Sequence, residues 1–182
     1  MVDRTGRAPR TSLTDVRTLR KNARAHLKQG AVTESYAADR DAVLRLLNDA
    51  LATEIVCVLR YRRHHYMAKG LSSKGIADEF LVHSNEELGH ADQIAARIVQ
   101  LGGEPDLAPD TLTARSHAEY VPAAKLRDMI KEDLVAERIA IDSYREMIEF
   151  IGVRDSTSRR LLEEILEVEE GHAEELADLL DR

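Results

Sequence analysis

Residues 86–90 read Glu86-Glu87-Leu88-Gly89-His90, and residues 169–172 read Glu169-Glu170-Gly171-His172. Each stretch holds a Glu-x-x-His. On a helix, residues three apart lie on one face about 5–6 Å from each other, so Glu87 with His90, and Glu169 with His172, can grip one ion. A single such tetrapeptide in an acid-rich chain reads as a solvated helix face. What changes that reading is where these two fall. Ile76, Phe80, Ile94 and Leu101 recur at helical steps, and Glu87 and His90 occupy the places in that stripe where a core residue is due. Glu169 and His172 interrupt Leu162, Ile165, Leu176 and Leu179 in the same way. Charged residues are seldom set in a core without a partner.

Outward from these two stretches, the same defect appears twice more. Glu54 interrupts Leu47, Leu51, Val58 and Tyr61, and Glu137 interrupts Ile130, Leu134, Ile141 and Tyr144. Glu54 precedes Glu87 by 33 residues and Glu137 precedes Glu169 by 32, and a tyrosine follows each solitary Glu seven residues on, so the two halves repeat. The periodicity predicts helices over 39–69, 74–101, 122–151 (with Pro122 in its first turn) and 155 to the C-terminus. Short links pair the first with the second and the third with the fourth as antiparallel hairpins. Residues 103–121 carry Pro105 and Pro109 and show no period, and a link of that length crosses a bundle end to end. The fold class is therefore all-α: two antiparallel hairpins joined by a long crossover, the ferritin-like arrangement. Each acid sits about 14–15 residues into its helix, and at about 1.5 Å per residue all four reach one height.

Composition agrees. Thirteen Gly and Pro in 182 residues argue against an all-β fold, and one cysteine, Cys57, excludes a disulfide framework, a thiolate zinc cluster and a CxxC pair. The longest apolar run, residues 55–59, is far short of the roughly 20 residues that span a bilayer, and no signal-peptide core opens the sequence, so a cytoplasmic protein without a membrane partner is expected. The net charge of −7 is uneven: residues 1–30 carry +6 and the remainder −13. Residues 12–29, starting at Ser12 and stopping at Gly30, read as an extra, short, basic N-terminal helix. The expected organisation is a basic arm over 1–38 and a four-helix bundle over 39–182.

Four carboxylates and two imidazoles in a helical core require neutralisation, because desolvating one unpaired ion costs several kcal/mol. Two divalent cations balance four glutamates, and oxygen and imidazole ligands without thiolate favour iron or manganese.

Residues 40–181 resemble bacterioferritin in the stretches 54–61, 86–92, 133–137 and 163–172. The resemblance implies that Glu54 and Glu137 are terminal carboxylates, Glu87 and Glu169 bridging ones, and His90 and His172 the nitrogen ligands. It also implies ferroxidase activity, two iron ions per subunit oxidised by O2 or H2O2, and Fe(III) stored in a hollow shell. Three departures accompany it. Leu88 stands where bacterioferritin carries its haem-ligating methionine, so no haem is expected. The sequence stops at Arg182 without the short fifth helix of 24-subunit ferritins, and a long segment precedes the first bundle helix. These last two traits resemble the Dps-like group, which has a bacterioferritin-type site in a twelve-subunit shell. The thioferritins of that group keep a cysteine pair near the metals, which Cys57 alone does not supply.

Around these ligands, Tyr61 is a candidate to bond one of them or supply an electron, or else packs in the seam with its hydroxyl satisfied. Cys57 reads as a small buried hydrophobe, His64 and His65 as a solvated or subunit-facing end, His83 as a hydrogen-bonded core histidine or a transient iron holder, and His26 and His117 as having no partner in sequence. Two rival functions remain: a non-storage di-iron or di-manganese oxidoreductase resembling manganese catalase, and a Dps-type DNA-protecting protein whose residues 1–28 contact phosphates. A purely structural bundle leaves the six seam residues unexplained.

Overall fold

The computed structural model describes residues 13–25, 27–70 and 73–181. The chain divides into two compact units, Met1–Ser35 and Tyr36–Arg182. In the first, α1 spans Val16–Asn22, followed by a 3-10 turn at Leu27–Gln29. The basic helix is shorter than the sequence suggests. Asp15, rather than Ser12, caps it, its side chain accepting from the backbone N–H groups of Arg17 and Thr18 at 3.0 Å. Ser12, His26 and the first basic residues, Arg4, Arg7 and Arg10, lie outside the described residues.

The second unit is the bundle. It comprises α2 (Arg40–Met67), α3 (Ser73–Gln100), a one-turn α4 (Leu112–Arg115), α5 (Leu126–Ile151) and α6 (Ser156–Leu180), and the described residues form no strand. Asp39 caps α2 by accepting from the Ala42 N–H, and Asp155 caps α6 by accepting from that of Ser158. Helix α3 ends in a Schellman turn. The Gly102 N–H reaches the Val99 carbonyl and the Gly103 N–H that of Ile98, with Gly102 at φ 77°. A Cβ on Gly103 would stand 2.5 Å from Leu44 Cδ2, so a larger residue there would push the Leu44 side chain aside where the hairpin closes against α2. Tyr36 belongs with the bundle, since its hydroxyl donates to Asp155 at 2.9 Å.

Cross-helix bonds fix the directions. Arg62 reaches Asn85 and His65 reaches the Ala77 carbonyl, so α2 and α3 run antiparallel. Tyr144 meets Glu54 while Tyr61 meets Glu137, which makes α2 and α5 antiparallel too. His83 meets Glu175 while Glu86 meets His172, so α3 and α6 follow the same rule. The link between α3 and α5 must therefore return the chain along the bundle, and it is pinned to α2 as it goes. Asn48 holds the Asp106 N–H, Thr53 holds that of His117, and Arg60 donates to the Glu119 carbonyl.

Two expectations change here. The link is not structureless, because α4 seats Leu112 against Ala52 and Val56 and Arg115 braces the turn by donating to the Asn48 carbonyl at 2.9 Å. Helix α5 begins at Leu126, not at Pro122. Arg63 takes the carbonyls of Pro122 and Ala123, the acceptors that a helix starting there would need for its own first turn.

Candidate metal centre

The height argument sets four acids at one level and the Glu-x-x-His spacing adds two imidazoles, and the structure brings all six together. Glu54 comes from α2, Glu87 and His90 from α3, Glu137 from α5, and Glu169 and His172 from α6. The four carboxylates are at most 1% exposed, and His90 and His172 are 6% and 4% exposed. They form two overlapping groups: Glu54, Glu87, His90 and Glu169 in one, and Glu87, Glu137, Glu169 and His172 in the other, with ligand atoms within 4.8 Å of one another. Glu87 and Glu169 belong to both. His90 Nδ1 lies 3.0 Å from Glu169, 3.3 Å from Glu54 and 3.7 Å from Glu87. His172 Nδ1 lies 3.4 Å from Glu87 and 3.5 Å from Glu169. Ligands about 2.1 Å from a shared tetrahedral ion stand about 3.4 Å apart, so these spacings suit cations between the groups.

The hydrogen bonds argue the same. Among the described residues, seven buried side-chain atoms have no hydrogen-bond partner. Six belong to this seam: Glu54 Oε2, Glu87 Oε1, both Glu169 oxygens, His90 Nδ1 and His172 Nδ1. Buried polar atoms are normally paired, and leaving one unmet costs about 1–3 kcal/mol. Six such atoms facing one another fit a pair of divalent cations.

Without a cation, protons must balance the charge. Burial first, and then the charge on Glu87, push the Glu54 pKa up to about 8. Burial, with Glu87 and Glu169, raises Glu137 well above the usual carboxyl range. Burial alone would lower both imidazoles, but the surrounding carboxylates push His90 up to about 12 and His172 up to about 10. Burial and Glu54 would raise Glu169, yet His172, His90 and Glu137 bring it below its ordinary value.

The tyrosines cross over. Tyr61 shares the α2 face with Glu54, but its hydroxyl donates to Glu137 on α5, while Tyr144 on α5 donates to Glu54. Each hydroxyl holds the seam glutamate of the opposite half. The equal seven-residue spacing was the available signal for Tyr144, but it does not reveal the exchange of partners.

Glu86 is a neighbour of the seam that the sequence pattern does not single out. It accepts from His172 Nε2 at 2.9 Å, which turns Nδ1 toward the seam. Elsewhere, His64 is not solvated. It is fully buried and donates from Nδ1 to Asp133 at 2.8 Å, because α5 covers that end of α2. His65 bonds the Ala77 carbonyl. The backbone N–H of His117 donates to Thr53. Cys57 is buried against Ala118 and Ala136, and burial raises its thiol pKa well above the ordinary value. Within the described residues, no helix is long and apolar enough to cross a membrane.

The sequence pattern of the ferritin-like domain matches residues 44–182. A bacterioferritin of Rhodobacter capsulatus is 32% identical over 134 residues, covering 72% of this chain and 78% of that protein. Among solved structures, a dodecameric thioferritin described as the bacterioferritin-related protein of Bacteroides fragilis superposes with a TM-score of 0.77. It is 29% identical, over 80% of this chain and 88% of the other. The bacterioferritin of Desulfovibrio desulfuricans, a protein with a diiron site, shares the fold at a TM-score of 0.69 and 24% identity, over 78% and 80% of the two chains.

Proposed function

Because the chain belongs to the bacterioferritin/ferritin-like superfamily, whose family-level activity is ferroxidation with iron storage, we propose that its buried seam binds and oxidises Fe(II) as an iron pair. Glu54 and His90 hold one position, Glu137 and His172 the other, and Glu87 and Glu169 span both. Two irons so held would each give one electron to O2 or H2O2, and with H2O2 the pair would yield two Fe(III) and two waters once two protons are added. Manganese suits the same ligands. The resulting Fe(III) is stored inside a closed homo-oligomeric shell, for which twelve subunits are favoured by the dodecameric B. fragilis relative.

The chain's own contribution is placement. Four helices set the ligands in a dry interior before any cation arrives, so little reorganisation accompanies oxidation. Tyr61 and Tyr144 hold Glu137 and Glu54 in place, and Glu86 holds the His172 ring. The observation that carries this reading is the set of six orphaned buried atoms facing one another. Anaerobic Fe(II) titration followed by stopped-flow oxidation tests it. Two Fe(II) per subunit and fast oxidation are expected, with continued uptake of many irons into a particle of fixed, large mass. An assembly that stops at two irons would keep the oxidase and discard storage.

A further inference from the structure

Helix α1 is seven residues long and has no buried residue. A helix that short does not hold in water by its own hydrogen bonds and needs a surface to pack on. Its sequence specifies that surface. Val16, Leu19 and Ala23 recur at i, i+3 and i+7 as one apolar ridge, with Val16 58% and Leu19 53% exposed. At about 100° per residue, Arg17, Arg20 and Lys21 fall on the adjoining face. Whatever covers α1 must offer apolar contact with acid beside it. Phosphates alone would meet the cations and leave the ridge wet.

The outside of the α5–α6 hairpin is such a surface. Arg145 on α5 donates to Glu170 on α6, so the exposed faces of the two helices adjoin. Glu146 and Glu149 on α5, and Glu167 and Glu174 on α6, are exposed and have no ion-pair partner among the described residues. Beside them Phe150 near the end of α5 and Val153 just past it are 47% and 83% exposed. The cations nearby are already engaged: Arg145 with Asp142 and Glu170, and Arg154 with the ring and the carbonyl of Phe150. Both surfaces stay exposed in one chain, and every copy of the chain carries both.

We propose that α1 of one subunit packs on the α5–α6 hairpin of a second copy, its apolar ridge against Phe150 and Val153 and its cations against the four unpaired glutamates. The two surfaces differ, so the contact is heterologous and leads from copy to copy around a closed assembly. It draws on the homo-oligomeric shell of the proposed function for its neighbours and not on the iron pair.

The test uses full-length chains. Ala23→Cys and Val153→Cys chains, one of them affinity-tagged, are co-expressed and treated with a short bismaleimide, and the solution mass is measured in parallel. Both positions are exposed and Cys57 is buried, so the introduced thiols are the ones that react. A mixed dimer on a denaturing gel is expected when both chains are present, and no dimer from either alone. Arg17→Glu/Arg20→Glu/Lys21→Glu in the first chain should cut its yield at least about tenfold, and Glu146→Lys/Glu149→Lys/Glu167→Lys in the second should restore it. A large assembly that gives no mixed dimer would overturn the docking and leave the shell standing, whereas a monomer that gives none would overturn both. A dimer from Ala23→Cys alone would pair α1 with itself and overturn the proposal, as would a mixed dimer indifferent to charge reversal. Duplex DNA retained by the wild type and released by the charge-reversed arm, with no mixed dimer, would assign the cations to phosphates instead.

Discussion

Two clusters of buried charge sit within a few turns of each other in this bundle, and they are closed in opposite ways. At one, Asp133 is fully buried and accepts from Arg60 Nε and His64 Nδ1, both at 2.8 Å, while Arg60 also donates to the Glu119 carbonyl. Acid and base cancel within the chain. At the other, four carboxylates and two imidazoles leave six atoms unmet. A buried charge can be answered by the protein or left for something the protein binds, and the hydrogen-bond inventory separates the two cases more clearly than burial does. Among the described residues, His64 Nε2 is the one orphan outside the seam.

The contrast breaks most sharply under substitution of the shared ligands. Glu87→Ala should abolish fast Fe(II) oxidation in stopped-flow traces, since Glu87 belongs to both groups of facing ligand atoms. The metal-free variant should unfold in denaturant no earlier than the wild type, because one of four crowded acids has gone. Unchanged oxidation would remove Glu87 from the site.

Asp133→Ala should do the reverse. It strands a buried guanidinium and should cost about 3–5 kcal/mol in unfolding experiments, with or without metal. A loss that appeared only in the metal-loaded protein would mean that this cluster, too, depends on a cation.

Glu86→Ala frees the His172 ring and should weaken one cation position by about 10–100-fold while sparing the other, as a two-site metal titration would resolve. An equal effect on both positions would contradict the assignment of His172 to one of them.

Acidity sharpens the comparison further. A carboxyl whose folded pKa is raised destabilises the fold as it ionises. For Glu54 the metal-free protein should therefore lose stability between its ordinary value of 4.5 and about 8, by at most about 1.4 kcal/mol per pH unit. His90 and His172 work in the same direction but higher. Their raised pKa values stabilise the fold fully below about 6.5, and that contribution is lost as pH climbs through about 10 and about 12. Divalent metal should cancel the Glu54 slope by displacing its proton, so the gap between metal-loaded and metal-free melting temperatures should widen from pH 5 to 8. A gap independent of pH would show that protons and cations do not compete for the seam.

The sequence carried the bundle and the six seam residues because both rest on helical period: an acid where a leucine is due is visible without a partner. Contacts between residues far apart in the chain were not legible in that way. The Arg60–Asp133–His64 cluster joins positions 73 and 69 residues apart, so His64 looked solvated beside Arg62 and Arg63. The crossed tyrosines, the bond from His172 to Glu86 and the delayed start of α5 have the same cause. Each is decided by a neighbouring helix or link, and local spacing gives no sign of it. The turn α4 escaped because its one buried residue, Leu112, is too little to make a period.

The central claim is that six side chains from four helices enclose two cations. Crystals soaked anaerobically with Fe(II) and measured at the iron edge test it most directly. Two anomalous peaks about 3.5–4 Å apart are expected, both touched by Glu87 and Glu169, one by His90 and the other by His172. A seam with no anomalous density, its carboxyls hydrogen-bonded to one another and to the imidazoles, would contradict it.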